Sequence, residues 1–249
     1  MSVLEVRGLS KRFGSLVAVR DISLTVAPGE LRAVIGPNGA GKTTFFNLVS
    51  GFFAPSAGSI LFDGRDITGV PAYRRVGLGM ARTFQITEVF PELTVFENIR
   101  IVAEVAAGYR LRPWLNRTEA AELRRRIEET LEFSALSGKA DRVVGELAHG
   151  DQRAAEIAMA LALKPHLLLL DEPTAGMGDQ ETYEITQLIR RLHKVGKLTI
   201  VLIEHDMRVV FHLADRITVL DQGRFLAEGT PQEIAASPAV QTAYLGQAA

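Results

Sequence analysis

The sequence predicts an α/β fold with a mainly parallel sheet, an N-terminal antiparallel β layer and a helical subdomain. Three observations carry that prediction. Residues 3–9 and 16–26 alternate apolar and polar side chains on either side of the turn KRFGS, the pattern of half-buried antiparallel strands. The runs LLLL (167–170) and LTIVLIE (198–204) are almost wholly apolar and alternate with helical patterns, as parallel strands covered on both faces do. From Thr94 to about Gly138 the apolar period becomes helical, most clearly in ELRRRIEETLEF.

In chain order, residues 2–35 read as antiparallel strands, broken by Pro28–Gly29, and the apolar stretch Leu31–Ile35 runs into a Gly-rich loop. A helix fits Lys42–Ser50, and residues 52–70 carry short strands and turns. After the helical segment, a helix at about 151–163 precedes the leucine run, which is bounded by Pro165 and Asp171. A helix over 179–194, the apolar run, a helix near 206–213 and the strand DRITVL follow. The turn DQG then leads to the strand RFLAEG and to a short helix opened by Pro231. The chain is read as one domain, 1–249, with a core of about 1–85 and 165–249 and a helical subdomain of about 90–160.

Composition narrows the function. The chain has 249 residues, enough for a substantial core, with 47% hydrophobic and 23% charged side chains. Its 28 basic and 29 acidic residues leave a net charge of −1, so no footprint for non-specific nucleic-acid binding exists and no nucleic-acid partner is expected. The absence of cysteine excludes disulfides, thiolate metal sites and cysteine nucleophiles. The N-terminus lacks the apolar stretch of a signal peptide, and no run approaches the roughly 18 apolar residues of a membrane span. The expectation is a soluble, cytosolic chain that meets a membrane only through a partner.

The strongest motif is GPNGAGKTT: Gly36, Pro37, Asn38, Gly39, Ala40, Gly41, Lys42, Thr43 and Thr44. It matches G-x-x-x-x-G-K-[ST] and lies between a buried strand and a helix, the arrangement of a P-loop NTPase core. Glycines let the backbone wrap a triphosphate, and the helix N-terminus adds positive potential. Lys42 can reach the β- and γ-phosphates of ATP, and the Thr43 hydroxyl can ligate Mg²⁺. Asp171 and Glu172 end the leucine run, at the carboxyl edge where open α/β sheets bind ligands. Asp171 can position the metal or its waters, and Glu172 can take a proton from an attacking water. His205, after the strand LTIVLI, can hydrogen-bond a γ-phosphate. Gln85 in RTFQ can touch the metal or the water.

Taken in order, the phosphate loop, RTFQ, a helical segment, the helix start ELAHGDQ, LLLLDEP and EHD resemble the ATP-binding subunits of ABC transporters over essentially the whole chain. The resemblance implies that Phe13 is the adenine-stacking aromatic, Gln85 the glutamine-loop residue and His205 the switch histidine. Within that family, FQITEVFPELTVFENI, AGM after DEPT, IEHDM and the closing AYLG are similar to one ATPase of branched-chain amino acid importers, the subunit whose signature begins Leu-Ala. ATPases of urea and short-amide importers and of the lipopolysaccharide exporter carry similar sequences. A soluble switch ATPase is disfavoured by the lack of a long coiled-coil insertion.

The resemblance further implies a head-to-tail pair with a second ATPase subunit, the same chain or another. It also implies transmembrane permease subunits, an indirect link to a periplasmic substrate-binding protein, and a place on the cytoplasmic face of the inner membrane. In such a pair each ATP would lie between the phosphate loop of one subunit and the signature of the other; the signature falls on Leu147, Ala148, His149, Gly150 and Asp151, so the usual serine hydroxyl is missing at Ala148. His149 either supplies a replacement donor or faces solvent or a partner. Asp151 either accepts from a ribose hydroxyl or only favours the first turn of the helix. Phe90 and Phe96 lie where the family docks the transporter's loops and could equally be core. LRRRIEE reads as a solvated, ion-paired helix face.

Overall fold

The computed structural model describes residues 2–83, 89–109 and 115–245. Two sheets organise it. The first holds β1 (Leu4–Phe13), β2 (Leu16–Val26), β4 (Ala57–Phe62) and β5 (Arg65–Asp66) in the order β2-β1-β4-β5, each neighbouring pair antiparallel. The second holds β3 (Leu31–Ile35), β6 (Met80–Arg82), β7 (Leu167–Asp171), β8 (Thr199–Ile203), β9 (Arg216–Asp221) and β10 (Arg224–Gly229) in the order β10-β9-β3-β8-β7-β6. All its pairs are parallel except the hairpin β9–β10.

One expectation needs correction here. Residues 31–35 are not part of the antiparallel layer: β3 is the middle of the parallel sheet, with Leu31 opposite Ile200 on one side and Arg32 opposite Arg216 on the other. Every residue of β3 is buried, as are those of β7 and β8, which is the signature of strands covered on both faces.

The helices are α1 (Lys42–Val49), α2 (Ala72–Gly77), α3 (Val95–Ala106), α4 (Arg117–Phe133), α5 (His149–Ala162), α6 (Asp179–Lys194), α7 (Met207–Leu213), α8 (Pro231–Ala235) and α9 (Pro238–Leu245). Local chemistry sets several starts. Thr94, Asn116 and Thr230 cap α3, α4 and α8, each in a reciprocal capping box with the glutamate three residues on. Leu123, Ile127 and Leu131 form the buried stripe of α4, while its outer face carries the Arg125–Glu122, Arg125–Glu129 and Arg124–Glu128 ion pairs.

The two faces of the parallel sheet feed two apolar clusters. One joins Ala33, Ile35, Leu168, Leu170 and Leu202 to α3, α4, α5 and α6; the other joins Val34, Leu167, Leu169 and Val201 to α1 and the antiparallel layer. Alternate residues of each central strand therefore face the two layers of covering structure. Among the described residues, no helix is long and apolar enough to cross a membrane.

Candidate functional site

The parallel sheet places the predicted groups side by side. The phosphate loop leaves β3, His205 follows β8, and Glu172 follows β7; these three strands are adjacent, with β8 in the middle. Their carboxyl ends open onto a cavity of about 600 Å³ lined by Asn38 to Thr44, Glu172 and His205. Leu16, Val17, Ala18, Gln222 and Gly223 complete its wall.

Glycine is required at two points of the loop. Gly36 has φ 154°, and a Cβ there would lie 2.1 Å from the Leu220 carbonyl of β9. Gly41 caps α1 at φ 94°, and its Cβ would lie 2.5 Å from the Ala18 carbonyl. The chain is thus pinched between two strands as it turns, and only hydrogen fits. Lys42 is buried, with Nζ donating to the carbonyls of Gly36 at 2.7 Å and Pro37 at 3.1 Å. Burial pulls its pKa below the ordinary lysine value, opposed by Glu172 and Asp171. The Thr43 side chain is exposed at the cavity, one residue into α1.

Across the cavity, His205 Nε2 stands 2.7 Å from Glu172 Oε1, with the histidine half exposed and the carboxylate largely covered. Glu172 adopts φ 47°, a left-handed conformation that costs a non-glycine residue about 1–3 kcal/mol. The turn is held from several sides. Glu172 N–H donates to the Ile203 carbonyl at 2.9 Å. Arg153, buried in α5, donates to the carbonyls of Asp171 at 2.8 Å, Glu172 at 3.2 Å and Pro173 at 3.3 Å. Asp171 pairs with Arg82 at 2.8 Å, and both side chains are nearly buried. Burial pushes the Asp171 carboxyl above its usual range, and the Arg82 guanidinium opposes that shift.

The helix start that matches the signature stands apart from this cavity: none of Leu147 to Asp151 lines it. Leu147 packs against the main core, Ala148 and His149 are exposed, and Gly150 is buried at the second position of α5. Asp151, in the first turn of α5, pairs with Lys139 at 2.5 Å. Phe13 ends β1 with its ring edge-on to Phe53 at 5.4 Å and beneath Lys11, and it is not part of the cavity wall. Gln85 lies outside the described residues.

Residues 19–175 match the ABC transporter family. The chain belongs to the ABC transporter family. Residues 226–249 of this ABC ATPase also match the family described as branched-chain amino acid ATP-binding cassette transporter. It is 41% identical to the high-affinity branched-chain amino acid transport ATP-binding protein BraF of Pseudomonas aeruginosa, covering 99% of this chain and 98% of that one. It is 42% identical to LivG of Escherichia coli K12, which carries the same description, again over 99% and 98%. A crystal structure of the ADP conformation of an ATP-binding cassette superposes with a TM-score of 0.86 at 29% identity, covering 99% of both chains.

Sequence reasoning missed four residues that shape this ABC ATPase. Arg153 and Arg82 brace Asp171 from α5 and β6. Glu204, 3% exposed, accepts from Thr174 N–H at 2.9 Å, Thr174 Oγ1 at 2.6 Å and His205 N–H at 2.9 Å, tying the turn after Glu172 to the turn that carries His205. Lys139 receives Asp151. Arg153 left a trace, as one of two charges, with Glu156, on the otherwise apolar buried part of a helix.

Proposed function

We propose that the chain is the ATP-hydrolysing subunit of an importer for branched-chain amino acids. The contact that carries this reading is His205 Nε2 to Glu172 Oε1 at 2.7 Å on the wall of the phosphate-loop cavity. It sets a base beside the place where a γ-phosphate would lie, with a histidine to orient it. Lys42 leaves the loop carbonyls for the β- and γ-phosphates, and the N-terminus of α1 adds its positive potential. Glu172 accepts the proton of the attacking water, and His205 passes from Glu172 to the γ-phosphate as the nucleotide binds. Phe13 would have to turn from Phe53 to stack on adenine.

Mg²⁺ is the metal that fits the donors. Thr43 would offer a hydroxyl at the cavity, Asp171 a carboxylate that now pairs with Arg82 and does not line the cavity, and Gln85 an amide oxygen. Among the described residues no cluster of three or more His, Cys, Asp or Glu could hold a metal by itself, so Thr43, Asp171 and Gln85 would hold the ion together with the bound nucleotide. The ion would supply positive charge against the phosphates.

The subunit pairs head to tail with a second ATPase subunit and docks beneath two transmembrane permease subunits, at the cytoplasmic face of the inner membrane. A periplasmic substrate-binding protein delivers the cargo. The docking face is the apolar groove of about 520 Å³ lined by Val89, Phe90, Ile101, Val102, Val105 and Met159. Phe90 is exposed there, while Phe96 packs against the core. The domain limits proposed for this machine are a core of about 1–85 and 165–249 and a helical subdomain of about 90–160.

Two measurements test the reading. Glu172→Gln should bind ATP as the wild type does and hydrolyse it at least about a hundredfold more slowly, the scale of a lost general base; undiminished turnover would refute the base assignment. In vesicles with the co-encoded permeases and binding protein, ATP should drive leucine uptake. Uptake of urea instead, or lipopolysaccharide release, would replace the cargo.

A further inference from the structure

The N-terminus of α5 is already engaged from within the chain. Gly150 sits in the first turn, where backbone N–H groups have no carbonyl of the helix to receive them. Its N–H donates to Glu181 Oε1 at 3.0 Å. Glu181 comes from the first turn of α6, and its second oxygen accepts from Gly178 N–H at 3.4 Å. The approach is intimate: a Cβ at position 150 would lie 3.2 Å from both Cβ and Cγ of Glu181. A glycine at 150 is therefore what lets the glutamate lie across the helix end. The two N–H groups hold the Glu181 carboxyl below its usual range, with His149 adding to the effect, so it is an anion at neutral pH.

We propose that Glu181 is an internal stand-in for phosphate: its carboxylate occupies the anion seat at the start of α5 and must leave before that seat can receive the γ-phosphate held by the partner ATPase subunit. This rests on the reading that 147–151 act on a neighbour's nucleotide. Two anions cannot share the same N–H, because each needs the donor and each repels the other. The seated carboxylate thus lowers the fraction of molecules competent to close on ATP, and the apparent affinity falls with that fraction. Glu181 keeps the helix end satisfied in the open state, and the departure of a carboxylate from α5 becomes part of closure.

The test separates charge from shape. Glu181→Gln keeps the length of the side chain and an oxygen that can accept from Gly150 N–H, but removes the charge; Glu181→Ala removes the contact altogether. ATP hydrolysis by the purified assembly, with whatever subunits accompany it, is measured across ATP concentrations for both variants and the wild type. Half-saturation is expected to fall about three- to tenfold in both variants, with maximal turnover at least maintained. Unchanged or raised half-saturation in both variants overturns the inference and leaves Glu181 a structural clip. If Gln does not fold, the Ala variant decides alone by the same criterion. A wild type with no saturable hydrolysis overturns the underlying reading and the inference together, whereas normal wild-type turnover with unshifted variants overturns only the inference.

Discussion

Lys139 Nζ and Asp151 Oδ1 meet at 2.5 Å, between a short 3₁₀ turn after α4 and the first turn of α5. The pair sets a cation against the Asp151 carboxylate, which, unpaired at about 5 Å from a triphosphate, would cost roughly 3 kcal/mol per phosphate charge at an effective dielectric near 20. Asp151 stands in the first turn of α5 and is tethered to the preceding turn, and a ribose hydroxyl would have to compete with Lys139 for its carboxylate.

Lys139→Met should therefore raise half-saturating ATP several-fold while changing thermal stability little, since exposed pairs contribute about 0–1 kcal/mol. Steady-state hydrolysis and thermal denaturation measure the two effects. Adding Asp151→Asn should restore the wild-type half-saturation; a double variant as impaired as the single one would refute the charge argument.

Arg153→Met should be among the most damaging changes. It removes a donor from three carbonyls of the Asp171–Pro173 turn, of which Glu172 keeps the Ala175 N–H, and takes from buried Glu156 the guanidinium it meets at 2.5 Å. Breaking a buried pair from one side costs about 3–5 kcal/mol. Denaturant unfolding should show most of that loss, and Glu156→Gln added to it should recover part.

Tyr244 gives a pH signature. Tyr244 is still 37% exposed on α9, and partial desolvation of its ring pushes the phenol up to about 12, with a hydrogen bond from the Gly36 backbone opposing the shift. The sign follows from a raised folded value: its contribution to stability is full below the unfolded value near 10 and is lost as pH rises through about 12. Absorbance titration of the four tyrosines should therefore show one ionising late in the native protein, and Tyr244→Phe should remove that late component. A native titration with no such late component would contradict the raised value.

What was legible in the sequence was what is local. Helix α6 was placed at its observed limits, and α5 and α7 within two residues, because an apolar period is a property of one segment. Gly36 to Thr44 were legible for the same reason, since the loop's chemistry is contiguous. The alternation rule could not tell which sheet receives β3, whose hydrogen-bonding partners begin at Thr199 and Arg216. Arg153, Glu204 and Glu181 escaped because their partners lie about 20 to 30 residues away and no periodicity couples them. The direction of Asp151 was hidden likewise, because the identity of residue 139 says nothing until the turn brings it round.

The strand order β3-β8-β7 carries one more consequence. Neighbouring strands repeat at about 4.8 Å, so the strand that launches the phosphate loop and the strand that ends in Glu172 stand roughly 10 Å apart, with the His205 strand halfway. That span is ruled off by main-chain hydrogen bonds rather than by side chains. Mutation can alter which groups stand on the ruler, but its graduations belong to the backbone, and they are the right size for a row of phosphates.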